Sequence, residues 1–167
     1  MEKQAPKGRV FKCLLNEDTA VFRSYLEFVC LNMVNDSRNA EMISMLSPNK
    51  RTKHHLITAK EMDVLSVILY NRYCKSSVIS DDDVLNEAVT NITARQKVRK
   101  QLGLTPARFG EIIRHLDKAS LLIPVCMDDG RVDYYKIHEK FIPQVYRDEN
   151  GKLCCPMRFI LRSENNG

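Results

Sequence analysis

The stretch that decides the fold is "QLGLTPARFG", residues 101–110. Gly103 stands where a helix can end on a positive φ, a conformation that glycine adopts at little steric cost. Leu104 can fold back as the apolar closing contact. Thr105 can then cap a second helix through its hydroxyl, and Pro106 falls at the first helical position, where no N–H is missed. Two helices separated by so few residues must turn sharply away from one another. The pattern predicts a first helix over 94–102, opened by a Thr93–Gln96 capping box, and a second over 106–119.

Within the second helix Phe109, Ile113 and Leu116, supported by Ile112, recur at helical spacing and predict a buried face. Arg108, Glu111, Arg114, His115 and Lys118 occupy the rest of its surface. Gly110 interrupts that surface, at a cost of about 1 kcal/mol relative to alanine. Two readings of it stay open: close approach by another surface, or a tolerated glycine. Downstream, "ASLLIPVCMDDGRVDYYKIH" (119–138) holds two strand-like runs around Asp129-Gly130, a strong hairpin signal. A second signal of the same kind, Asn150-Gly151, lies in "QVYRDENGKLCC" (144–155), followed by "MRFILR" (157–162) and a polar end.

Upstream, "ITAKEMDVLSVILYNRYC" (57–74) opens with a Thr58–Glu61 capping box, and Ile57 can staple against Met62. Met62, Leu65, Leu69 and Tyr73 mark one face, widened by Val64 and Ile68. "SDDDVLNEAV" (80–89) predicts another helix, capped by Ser80. Its three consecutive acids point in different directions along a helix and do not converge on a metal ion. In "AVFRSYLEFVCLNMV" (20–34), capped by Asp18 or Thr19, apolar residues cover most of the circumference, so this helix must be covered on more than one side. It is either the central helix of the domain or the contact of a homodimer through residues 19–34. A strand over 9–15, a short helix over 39–46 and an exposed basic loop at 49–55 complete the reading. Three parts are expected: an N-terminal arm with helices (1–55), a central unit (56–143) and a C-terminal hairpin and tail (144–167).

The distribution of charge narrows the function. The chain carries a net +5, and residues 93–118 alone hold seven basic side chains against two acidic ones, leaving the remainder balanced. Such a concentration suits a polyanion. Catalysis is not expected, because no histidine has an evident nucleophile partner and there is no glycine-rich phosphate loop. No cofactor is implied. The six cysteines lack CxxC spacing and are expected to be reduced, buried and inert; a zinc site from Cys126, His138 and the Cys154-Cys155 pair is the weaker alternative. Without a long apolar run or a leader-like start, the expectation is a cytoplasmic protein with no membrane contact.

The order helix, tight turn, helix, hairpin resembles the winged helix-turn-helix superfamily, through "LGLT", "FGEIIRHL" and "LDKASLLI" over roughly residues 56–143. In layout it is most similar to replication proteins and regulators of plasmids, phages and mobile elements. The resemblance implies an α+β, mainly α fold: a winged helix-turn-helix core with an N-terminal helical extension and a C-terminal hairpin. It also implies sequence-specific binding of double-stranded DNA, in a transcriptional regulator or a replication-associated factor, with helix 106–119 in the major groove. The DNA-binding set would then be Arg95, Lys97, Arg99, Lys100, Thr105, Arg108, Glu111, Arg114 and Lys118, with Arg108 reading a guanine. The alternative is a winged-helix interaction or assembly module that does not bind DNA. Two departures from the pattern stand out. Arg99 and Gln101 occupy positions that are usually small and apolar, and the hairpin tip is acidic, with Asp128, Asp129 and Asp133 outweighing Arg131, so the hairpin is not expected to enter the minor groove.

Overall fold

The computed structural model describes residues 15–35 and 57–156. The strand expected at 9–15 falls outside this range but for Leu15, and the helix at 39–46, the basic loop at 49–55 and the 157–162 run fall wholly outside it. The described chain is mainly helical, with two small antiparallel hairpins. In order come α1 (Glu17–Asn35), α2 (Ala59–Lys75), α3 (Asp82–Thr90), α4 (Ile92–Gln101), α5 (Pro106–Lys118), β1 (Leu122–Cys126) and β2 (Val132–Ile137), a short 3-10 turn at Glu139–Phe141, then β3 (Tyr146–Arg147) and β4 (Leu153–Cys154). No helix among the described residues is long and apolar enough to cross a membrane.

The central helix is α2, not the helix whose composition suggested it. Every residue from Val64 to Leu69 is buried, including Ser66, whose hydroxyl donates to the Asp63 carbonyl at 2.8 Å. All four other described helices pack against α2, which explains burial all round rather than along one stripe. The Thr58–Glu61 box opens it as expected, with the Glu61 N–H donating to Thr58 Oγ1 at 3.2 Å and the Thr58 N–H donating to Glu61 Oε1 at 2.9 Å.

One apolar stripe of α1 is used within the chain. Phe22, Leu26 and Cys30, spaced one turn apart, face α2 and are 2%, 0% and 5% exposed, while Val21 and Val29 pack at the border of the same core. Leu153 of β4 and Phe141 belong to that core as well. Tyr25 donates to the Lys140 carbonyl at 3.2 Å, and Arg147 pairs with Asp18 at 3.1 Å, so α1 and the C-terminal hairpin cover α2 together.

Three helix starts lie one to three residues away from the sequence reading. Asn16, rather than Asp18 or Thr19, caps α1, accepting from the Thr19 N–H at 2.7 Å. Asp81, rather than Ser80, caps α3 through the Val84 N–H at 2.9 Å. Asn91 both ends α3 and caps α4, accepting from the Ala94 N–H at 2.8 Å, so the Thr93–Gln96 box is not used. Asp81, Asp82 and Asp83 diverge as expected: the second pairs with Arg72 at 2.9 Å and the third with Lys136 at 3.6 Å.

The hairpin β1–β2 lies against α5 and α3. Besides the exposed Lys136–Asp83 pair, a buried hydroxyl ties it to α3. Thr90 Oγ1 accepts from the Tyr135 N–H at 2.8 Å and lies 2.8 Å from the Tyr135 carbonyl and 2.7 Å from that of Asn86. One side chain thereby stands where the backbone of a third strand would pair. Both hairpins close with the same device, a glycine at positive φ in the fourth position of the turn: Gly130 (φ 87°) and Gly151 (φ 78°).

The cysteines only partly follow expectation. Cys30 is buried, and desolvation pushes its thiol up to about 12, which keeps it protonated and inert. Cys74 and Cys126 are exposed, and Cys154 and Cys155 half-buried. Cys126, His138 and the Cys154–Cys155 pair are not gathered into a metal site; among the described residues no cluster of three such ligands exists.

Candidate nucleic-acid interface

The turn between α4 and α5 forms as its residues dictate. Gly103 takes φ 65°, its N–H reaches the Lys100 carbonyl at 3.1 Å, and the Leu104 N–H reaches that of Arg99 at 3.1 Å, the paired bonds of a Schellman ending. Leu102 and Leu104 are buried beneath it. Thr105 Oγ1 accepts from the Arg108 N–H at 3.2 Å, and Pro106 takes the first helical position. The end of α5 repeats the motif without glycine: Ser120 adopts φ 61°, with its N–H on Asp117 and the Leu121 N–H on Leu116.

Burial of Phe109, Ile112, Ile113 and Leu116 fixes the orientation of α5. By helical geometry its opposite face presents Ala107, Gly110, Glu111, Arg114 and Lys118. Among the described residues nothing lies within 4 Å of where a Cβ on Gly110 would be, so Gly110 does not serve contact with any of the described helices. Arg108 sits at the flank of this face. Its guanidinium meets Glu111 at 3.3 Å, and it lies near enough to Lys60 of α2 for the two charges to repel.

The seven cations of residues 93–118 divide into distinct roles. Arg95 turns inward. Its Nη1 donates to the Thr90 carbonyl, its guanidinium lies 5.1 Å from the centre of the Tyr135 ring, and desolvation lowers its pKa against the pull of Tyr135 and Asp133. Arg99 reaches across the turn, with Nη1 donating to the Leu104 carbonyl at 3.0 Å, which accounts for an arginine where a small residue is usual. Both were expected on the free cationic surface, and both instead brace the fold. Among the described residues, Lys97, Lys100, Arg114 and Lys118 are exposed and have no hydrogen-bond or ion-pair partner.

Lys60 was missed by sequence reading because its position beside Arg108 exists only once α2 and α5 are packed. His115 was placed on the outer surface, yet its Nδ1 lies 2.5 Å from Glu61 Oε2 of α2, where Glu61 is 5% exposed. At the hairpin tip, Asp129 takes the Arg131 guanidinium at 2.7 Å and its backbone N–H at 3.0 Å. These bonds hold the Asp129 carboxyl below the usual carboxylate range, and they neutralise the one cation of the tip.

Comparison of the chain with known protein families, characterised proteins and solved structures gives no match.

Proposed function

We propose that the protein binds double-stranded DNA through the outer surfaces of α4 and α5, with α5 lying in the major groove in a winged helix-turn-helix manner. The observation that carries this reading is the set of four exposed, unpartnered cations, Lys97, Lys100, Arg114 and Lys118, on the two helices joined by the Gly103–Thr105 turn. Cations held by nothing among the described residues are available to phosphates, and each one engaged releases counterions. The open space over Gly110 adds support, since it lets the α5 backbone approach a groove floor more closely than any other residue allows.

Base reading then shifts along α5. Arg108, with its guanidinium shared with Glu111 at the flank, is displaced by Arg114 as the side chain centred on the outer face, with Ala107 and Gly110 ahead of it. The β1–β2 hairpin stays off the duplex, because its tip offers Asp128 and an internally paired Asp129–Arg131 to a polyanion. A role in regulation or replication follows from the same reading. The burial of Phe22, Leu26 and Cys30 uses one stripe of α1 within the chain, and the reading needs no dimer.

Selection of bound sites from a random duplex pool tests the sequence-specific part. Enrichment of a defined site that is lost in Arg114→Gln supports it. An unenriched pool reduces the activity to electrostatic binding.

A further inference from the structure

The C-terminal half of α2 borders a cleft of about 420 Å³, lined by Phe22 of α1, by Leu69, Arg72, Tyr73 and Ser76 of α2, and by residues 142–145 of the connection to β3. Small-molecule sites commonly enclose about 300 to 1,000 Å³. Phe22 and Leu69 are 2% and 1% exposed and give the cleft an apolar wall, extended by Ile142 and Val145. The polar element in this lining that carries a charge is Arg72, whose side chain is 13% exposed.

Arg72 is incompletely satisfied. Its Nε donates to Asn86 Oδ1 at 3.2 Å and its Nη2 to Asp82 Oδ1 at 2.9 Å, while among the described residues Nη1 has no partner. Asp82 is 83% exposed, so water competes for its carboxylate and its hold on the guanidinium is weak. A guanidinium is a planar fork suited to a carboxylate. Here one arm is unfilled and a second is held by a replaceable group, beside apolar walls.

We propose that this cleft binds a small molecule with an apolar body and one carboxylate, the body against Phe22, Leu69 and Val145 and the carboxylate on Arg72. An alcohol of the same shape offers no charge to the fork, and an amine sets a second cation beside Arg72. The inference does not rest on DNA binding, because the cleft lies at one end of α2 and the contact with α5 at the other.

Isothermal titration of the full chain with 4-phenylbutyrate, 4-phenylbutanol and 4-phenylbutylamine tests it, since the three share a body and differ in the head. Saturable binding of the acid is expected, with the alcohol weaker by about tenfold, the scale of one charge-assisted hydrogen bond, and no heat from the amine. Arg72→Gln brings the acid to the level of the alcohol. Asp82→Asn, at an exposed position, removes the competing carboxylate and tightens the acid, a gain that loss of folding cannot imitate. Equal affinity for acid and alcohol, no saturable binding of the acid, or weakening by Asp82→Asn overturns the proposal.

Discussion

Glu61 Oε2 lies 2.5 Å from Nδ1 of His115, while Oε1 of the same buried carboxylate accepts the Thr58 N–H. One side chain thus closes the start of α2 and holds α5 against it. Replacing it by alanine removes both bonds and leaves the Thr58 N–H at the start of α2 without its side-chain acceptor. Glu61→Ala is expected to lower stability by about 2 kcal/mol in urea unfolding. His115→Ala costs less, and the double variant costs less than the two single effects added together, because each substitution has already removed the shared contact. Additive losses show that the two residues are not coupled.

Thr90 is the second such joint. Thr90→Val keeps the shape but leaves the Tyr135 N–H and carbonyl buried without their partner, a loss of about 1 to 3 kcal/mol. Amide exchange at Tyr135 should quicken more than exchange at residues of α5. A uniform change across both elements indicates that Thr90 does not hold the hairpin to α3.

Ser120 occupies the left-handed region that glycine favours, at φ 61°. Ser120→Gly is expected to stabilise the fold by about 1 kcal/mol, seen as a higher urea midpoint with an unchanged slope. A lower midpoint indicates that the serine side chain has a compensating role.

Gly110 separates stability from binding. Gly110→Ala puts a methyl group into open space on an exposed helix, so stability rises by about 0.5 to 1 kcal/mol. If the α5 backbone closes on a groove, the same methyl lowers DNA affinity. A more stable variant with unaltered affinity shows that the Gly110 face does not approach the duplex.

Much of the fold was legible because it is local. The Thr58–Glu61 box, Gly103, Thr105–Pro106 and both hairpin glycines are set by residues within five positions of one another, and the structure has each where the sequence put it. Helix starts were less so: "SDDD" and "NIT" each offer several competent caps, and the choice of Asp81 and Asn91 depends on where the preceding segment ends. The roles of Arg95 and Lys60 were not legible at all. Arg95 is defined by Tyr135, forty residues away, and Lys60 by Arg108, so composition counted Arg95 as a free cation and overlooked Lys60. The centrality of α2 was hidden for the same reason, since a helix wrapped by four others and one wrapped by two can share a hydropathy pattern.

Arg95 supplies an internal control for charge. Arg95→Gln removes a hydrogen bond and a ring contact within the fold and is expected to reduce stability, while leaving the salt dependence of DNA binding close to that of the unaltered chain. A large fall in the salt slope with Arg95→Gln places its guanidinium on the duplex instead.

The most direct test of DNA binding is fluorescence anisotropy with random-sequence duplex DNA over a salt series, for the natural chain and for a variant with Lys97, Lys100, Arg114 and Lys118 all changed to glutamine. With about four phosphates engaged, log affinity should fall against log salt with a slope of about −3 to −4, and the variant, folded by circular dichroism, should lose most of both affinity and slope. A nearly flat salt response in the natural chain, or an unchanged slope in the variant, contradicts the account.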